Sequence, residues 1–439
     1  MRIRVSPVPR LAGRVLVPGD KSISHRAALF GALARGRTEI TGFLEGEDCL
    51  ATLGAVRALG VEVTRKGSGH YLVDGRGPEG LTEPENVIDC GNSGTGARLL
   101  VGVLAGQPFW SVITGDASLR SRPMDRVAAP LRRMGATVVG RREGSLLPLA
   151  VRGARPLKAI TYESPVASAQ VKTALLLAGL WADGPVTVHE PAQSRDHTER
   201  MLAGFGARLA VTGEGVTLTP GGALHGQTVA VPGDISSAAF FLVAGALMAD
   251  PEVAVAHVGT NPTRTGVLEV LDAMGASIRR QAPVGPGSAV EPAADLVVRR
   301  SRLRGAEISG PEIPRLIDEV PILAVAAALA EGPTEVRDAA ELRVKESDRI
   351  RAIATELGRM GARITERPDG LRIEGGTRLR GAAVASGGDH RMAMSLVIAG
   401  LLADGETVVE DTGCIATSFP GFLTAVNDLA GSPAARAEA

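Results

Sequence analysis

The sequence predicts an α/β protein of two domains, each made of three similar modules, and three observations predict it. A phrase that closes a helix and opens a strand returns six times: Ala58-Leu59-Gly60-Val61, Arg133-Met134-Gly135-Ala136, Gly204-Phe205-Gly206-Ala207, Ala273-Met274-Gly275-Ala276, Arg359-Met360-Gly361-Ala362 and, more weakly, Leu429-Ala430-Gly431. Between these phrases lie six helical runs rich in Ala and Leu, at 27–34, 97–105, 171–180, 238–248, 322–330 and 392–402. Finally, Val17-Pro18-Gly19-Asp20 is repeated as Val231-Pro232-Gly233-Asp234, and three modules follow each copy.

Each repeated Gly reads as a helix C-cap, because a residue without Cβ enters the left-handed conformation that ends a helix. The alternating β-branched residues after it, as in Val61-Glu62-Val63, read as a strand. The glycines are spaced by 75, 71, 69, 86 and 70 residues, too long a period for a solenoid repeat. A module therefore reads strand, helix, strand, helix, strand, strand. The six Ala/Leu-rich helices are apolar on nearly every face, so they belong inside their domains. The Val-Pro-Gly-Asp copies mark the crossings between the halves, giving domains at 19–230 and at 1–18 plus 231–439, with a cleft between them. The strand near Ile3 to Val5 falls to the second domain, and the last residues, Gly431 to Ala439, are expected to fray.

Composition excludes several functions. Lys and Arg together number 48, as do Asp and Glu, so no global field draws nucleic acid or an anionic membrane. Aromatic residues are only 3%, which leaves no base-stacking surface. Cys49, Cys90 and Cys414 are scattered without metal-ligand spacing, as buried thiols in a reducing compartment would be. The longest apolar run, 238–249, is too short for a bilayer and the N-terminus has no signal-peptide core. A cytoplasmic protein with no metal and no membrane or nucleic-acid partner is expected.

Polar chemistry concentrates just ahead of the apolar helices. The first is preceded by Pro18-Gly19-Asp20-Lys21-Ser22-Ile23-Ser24-His25-Arg26, where a helix N-terminus offers N–H groups and a positive dipole end beside two cations. A capped helix with two solvated cations is the plainer alternative, and a Walker A loop is excluded because Asp20 separates Gly19 from Lys21. The second is preceded by Gly91-Asn92-Ser93-Gly94-Thr95-Gly96, either an oxyanion-approaching loop or a simple turn. The others carry Ser168-Ala169-Gln170, Asp318-Glu319 and Asp389-His390-Arg391. Cations and hydroxyls at several helix N-termini, converging on one cleft, describe a site for anionic ligands. Two more segments are dense in charge. The stretch from Glu341 to Arg349 reads as a solvated helix face, and Leu119-Arg120-Ser121-Arg122-Pro123 as a surface turn.

On these motifs, together with Arg343-Val344-Lys345-Glu346-Ser347-Asp348-Arg349, the chain resembles the enolpyruvyl transferases over nearly its whole length. Ser168 to Lys172, Arg195 to Glu199 and Asn261 to Arg264 are similar to the second bacterial subgroup of the branch acting on 3-phosphoshikimate. The resemblance implies two domains of three βαβαββ modules with buried parallel helices, an inside-out α/β barrel. It implies transfer of the enolpyruvyl group of phosphoenolpyruvate to the 5-hydroxyl of 3-phosphoshikimate, with release of phosphate, no cofactor, and a monomer. By the same resemblance Lys21, Ser22, Arg26, Ser168, Ala169, Gln170, Asp318 and Lys345 bind 3-phosphoshikimate. Lys21, Gly94, Arg122, Gln170, Arg349 and Arg391 bind phosphoenolpyruvate, and Asp318, Glu346 and Lys21 are catalytic. Glyphosate is the inhibitor implied, against the Gly94 backbone. One departure stands out: Thr417 occupies the place where many members carry a phosphoenolpyruvate-binding Lys. The sister transferase acting on UDP-N-acetylglucosamine is the alternative, but it uses a loop cysteine, and 109–123 contains none. A non-catalytic anion- or nucleic-acid-binding protein on the same modules is the other, opposed by neutral charge and by the Asp318/Glu346 pair.

Overall fold

Six four-stranded sheets of one design make up the computed structural model, which describes residues 1–213, 215–283 and 291–438. In every sheet an edge strand runs parallel to its neighbour, and the other two strands form antiparallel pairs. Thr228–Ala230, for instance, pairs in parallel with Arg35–Thr41, which lies antiparallel to His70–Arg76, itself paired with Glu62–Gly67. The chain divides into two compact units: unit I is Gly19–Val231 together with Glu291, and unit II is Met1–Pro18 with the described residues 232–283 and 292–438. Each unit holds three sheets.

Inside each unit lie three of the apolar helices. In unit I they are α1 (Lys21–Leu33), α2 (Gly94–Leu104) and α3 (Ala169–Ala178). In unit II they are α4 (Ile235–Met248), α5 (Val320–Leu329) and α6 (His390–Leu401). Every residue of α4 except Leu247 is buried, so its lack of a polar face is what the position requires. The helices pack closely. A Cβ on Gly102 of α2 would lie 2.3 Å from the Ala174 carbonyl oxygen of α3, so only glycine fits that crossing. All six repeated glycines, Gly60, Gly135, Gly206, Gly275, Gly361 and Gly431, have positive φ, as helix-terminating caps demand.

The first module of each unit takes its edge strand from far away in the chain, because Leu11–Leu16 joins the sheet of Ala249–Gly259 while Thr228–Ala230 serves the sheet after α1. One expectation is overturned: the last residues described, up to Glu438, do not fray. Ala435–Glu438 is a strand paired antiparallel with Arg2–Val5, and Glu438 holds Arg2 at 2.8 Å and Arg4 at 2.7 Å. That strand carries no β-branched residue, and its partner lies at the opposite end of the chain, so local pattern could not reveal it. Among the described residues no helix is long and apolar enough to cross a membrane.

Candidate active site

In unit I the polar residues ahead of the helices are drawn together at the helix N-termini. Asp20 caps α1 by accepting the Ile23 N–H at 2.9 Å, which sets Lys21 and Ser22 in the first turn. The Lys21 ammonium lies 3.1 Å from Asp48 Oδ2. Ser93 caps α2 through Gly96 N at 3.0 Å, and Ser168 caps α3 through Val171 N at 3.4 Å. Side chains tie these ends to one another. Gln170 Nε2 donates to Thr95 Oγ1 at 2.9 Å, and Gln170 Oε1 accepts from Arg98 Nη1 at 2.9 Å. His25 joins Thr52 Oγ1 at 2.8 Å and approaches Ser93 Oγ at 3.5 Å, while burial and the neighbouring Lys21 hold its imidazole well below the ordinary value.

Arg122, read from sequence as a surface residue, is buried: its Nη2 donates to Asn92 Oδ1 at 2.7 Å and Ser118 Oγ at 3.0 Å. The loop holding it is thereby fixed beside Gly94. Arg26 is buried too, and burial lowers its guanidinium to about 10. It donates to Thr198 Oγ1 at 2.8 Å, Thr173 Oγ1 at 2.7 Å and the Ser22 carbonyl at 3.0 Å. These bonds fix the hydroxyl directions. Thr173 lies 2.5 Å from the Ala169 carbonyl, which only accepts, so its one proton points there. The 2.6 Å contact between the two threonines is then donated by Thr198. Three of the five Arg26 donors thus serve the fold around Ser22 and Ala169.

In unit II the centre is Arg349, whose side chain is fully buried. It faces three carboxylates: Asp389 at 2.8 Å, Asp318 at 3.2 Å and Glu346 at 2.6 Å. Three negative partners outweigh its desolvation and raise its pKa, so it is cationic throughout the working range. Of the charged run read as a solvated face, the end at Arg349 is therefore interior, while Arg343, Lys345, Glu346 and Asp348 are half-buried and Val344 is exposed. The run folds as a short 3₁₀ turn, Ala340–Val344, before Asp348 caps a helix at Arg349–Arg359. Arg391, in the first turn of α6, donates to the Asp318 carbonyl at 3.3 Å and lies 3.7 Å from the Asp318 carboxylate. Glu319 accepts from Ser236 of α4 and stands 3.8 Å from Arg391, so the starts of α4, α5 and α6 also converge. Lys345 is pushed below the ordinary lysine value, chiefly by desolvation, against the opposing charge of Asp318.

Lys21, Ser22, Arg26, Gly94, Arg122, Ser168, Ala169 and Gln170 are thus gathered in unit I, and Asp318, Lys345, Glu346, Arg349 and Arg391 in unit II. Thr417 turns its hydroxyl onto the Cys414 carbonyl at 2.7 Å, a local cap rather than a cationic contact. Sequence reasoning missed Arg98 and Asp48. Arg98 bridges Gln170 and the Pro123 carbonyl, the latter at 2.8 Å, and it is the one charged residue of α2, which was a usable signal. Asp48 had none, since its acidic neighbours Glu45 and Glu47 look alike in sequence.

The EPSP synthase family model, described as 3-phosphoshikimate 1-carboxyvinyltransferase, matches residues 5–426. The chain belongs to the EPSP synthase family. A relative from Desulforudis audaxviator named 3-phosphoshikimate 1-carboxyvinyltransferase is 56% identical over 429 residues, covering 98% of this chain and 99% of its own. One of the same name from Geobacter sulfurreducens is 56% identical over 426 residues, 97% and 98% of the two chains. The 2.37 Å structure of EPSP synthase from Acinetobacter baumannii superposes with a TM-score of 0.88 at 45% identity, over 99% of both chains. The enolpyruvyl transferase NikO from Streptomyces tendae has the same fold, with a TM-score of 0.77 at 20% identity over 98% of this chain and 97% of that one.

Proposed function

We propose that this EPSP synthase family member transfers the enolpyruvyl group of phosphoenolpyruvate to the 5-hydroxyl of 3-phosphoshikimate, releasing inorganic phosphate, and that the clusters of both units act on this one pair of substrates. The observation that carries the reading is Arg349, a buried cation holding Asp318 and Glu346 side by side with Lys345 and Arg391 next to them. The two substrates bring two phosphates and two carboxylates, whose repulsion has to be offset by cations.

In this reading Ser22, Ser168, the Ala169 backbone, Gln170 and Lys345 hold 3-phosphoshikimate, with Arg26 beneath the first turn of α1. Gly94, Gln170, Arg122, Arg349 and Arg391 hold phosphoenolpyruvate, and Lys21 touches both. The 5-hydroxyl oxygen adds to C2 of phosphoenolpyruvate, its proton going to a base while another proton reaches C3, which becomes a methyl group. The adduct then expels phosphate from C2 and gives up one methyl proton, restoring the double bond. Asp318 and Glu346 are the groups that exchange these protons, with Lys21 stabilising the charge between the substrates. A C–O bond forms at C2, the C–O bond to phosphate breaks, and the remaining steps are proton transfers with no net redox change, so the chemistry calls for no cofactor. The protein works as a cytoplasmic monomer, and glyphosate occupies the phosphoenolpyruvate subsite. A coupled phosphate-release assay tests the reading: 3-phosphoshikimate supports turnover and UDP-N-acetylglucosamine does not. Turnover with the nucleotide sugar alone would overturn it.

A further inference from the structure

Behind the Ser168-Ala169-Gln170 turn lies a buried ionic group that the reaction described above does not use. Lys172 is 2% exposed, with its ammonium 2.8 Å from Glu190 Oε2 and 2.7 Å from Glu199 Oε1. Its three members come from separate elements: α3, the loop after Val186–His189, and the helix His197–Gly204. Glu190 does more than pair with the lysine. Its Oε1 accepts the backbone N–H of Ser168 at 2.9 Å, immediately before α3 begins.

The other side of the same turn is gripped as well. Thr173 donates to the Ala169 carbonyl at 2.5 Å and is held by Arg26, while Thr198, next to Glu199 in sequence, accepts from Arg26 at 2.8 Å. The turn is thus clamped at the Ser168 N–H by Glu190 and at the Ala169 carbonyl by Thr173. Such a clamp fixes where the Ser168 hydroxyl and the Ala169 backbone point, whereas a buried ion pair by itself adds little net stability. Burying this much charge is costly, so a reason other than stability is needed for keeping it.

We propose that Glu190, anchored by Lys172, whose ammonium Glu199 also holds, is a positioning residue for 3-phosphoshikimate: it holds the Ser168-Ala169 turn in the geometry that receives this substrate, without touching the substrate itself. The proposal rests on the assignment of that turn to 3-phosphoshikimate. Two substitutions separate the hydrogen bond from the charge. Glu190→Gln keeps an oxygen for the Ser168 N–H and removes the charge. Glu190→Asp keeps the charge and withdraws the oxygen by one methylene. The expected result is a KM for 3-phosphoshikimate raised on the order of tenfold in Glu190→Asp and by clearly less in Glu190→Gln, whose oxygen keeps the Ser168 bond while its NH2 loses the Lys172 contact. The KM for phosphoenolpyruvate and kcat stay within about threefold in both. The reverse order, an equal rise for both substrates, or a lowered melting temperature with unchanged constants would overturn the proposal. Wild-type phosphate release with 3-phosphoshikimate is measured first. If it is absent the functional reading falls, and amide exchange at Ser168 decides the clamp alone: faster in Glu190→Asp than in Glu190→Gln if the proposal holds, equal in the two if it does not.

Discussion

Adding one methyl group at Gly94 should weaken glyphosate more than phosphoenolpyruvate. A Cβ at this position would stand 3.0 Å from Arg98 Nη1, 3.3 Å from Arg122 Nη1 and 3.8 Å from Leu119 Cδ1. The first two contacts are tighter than ordinary van der Waals separation, so a guanidinium has to retreat by a few tenths of an ångström. Neither moves without loss. Arg98 is bonded to Gln170 at 2.9 Å and to the Pro123 carbonyl at 2.8 Å, and Arg122 to Asn92 Oδ1 at 2.7 Å. If Gly94 and Arg122 hold phosphoenolpyruvate as proposed, the methyl narrows that subsite from the Gly94 side and disturbs Arg122. Crowding of this size costs about 1–3 kcal/mol, which corresponds to roughly 5- to 150-fold in affinity. In the proposed subsite glyphosate, the longer molecule, should meet the new Cβ more closely, so its inhibition constant should rise by tens-fold in Gly94→Ala, with a much smaller rise in the KM for phosphoenolpyruvate. Both constants come from one phosphate-release assay on the two proteins. A wild-type enzyme already indifferent to millimolar glyphosate, or equal losses for inhibitor and substrate, would refute the reasoning.

Other outcomes follow from the same geometry. Asp318→Asn removes a proton acceptor and almost no volume, so turnover should fall by roughly two orders of magnitude or more with substrate binding nearly intact. Normal turnover would remove Asp318 from the mechanism. Arg391→Ala deprives an anion of its partner, and the phosphoenolpyruvate KM should rise by about tenfold or more while the 3-phosphoshikimate KM changes little. His25 supplies a pH dependence. The folded chain keeps it neutral, well below its ordinary 6.5, whereas the unfolded chain takes up a proton as the pH falls through that value. Stability is therefore full above about pH 6.5 and is lost below it, at up to about 1.4 kcal/mol per pH unit for one proton. In urea titrations across that range His25→Gln should show a shallower acid slope, and an identical slope would place the acid sensitivity elsewhere.

The repeating frame of the fold was legible because its signals are local. Gly60, Gly135, Gly206, Gly275 and Gly361 each end a helix at positive φ, and the next residues alternate as a strand does. The apolar helices declared themselves by having no polar face. What escaped was non-local. The strand Ala435–Glu438 is defined by Arg2 and Arg4 at the far end of the chain, and Leu11–Leu16 by a sheet more than two hundred residues away. The site divides the same way. Lys21, Gly94 and Ser168 announce themselves as caps and first-turn residues, but nothing in the run from Glu341 to Arg349 says that Arg349 is buried. Glu346 is a local partner three residues away, but Asp318 and Asp389 come from two other segments, and only the tertiary structure brings those to Arg349.

The central claim, that enolpyruvyl passes to 3-phosphoshikimate by addition and then elimination, is tested most directly by running the reaction in deuterium oxide and examining the product by NMR. In the proposed course C3 of phosphoenolpyruvate becomes a methyl group before the double bond is restored. The product should therefore carry the enolpyruvyl group on the C5 oxygen, with deuterium in its methylene. A methylene free of deuterium, or an enolpyruvyl group on any other oxygen, would contradict the account.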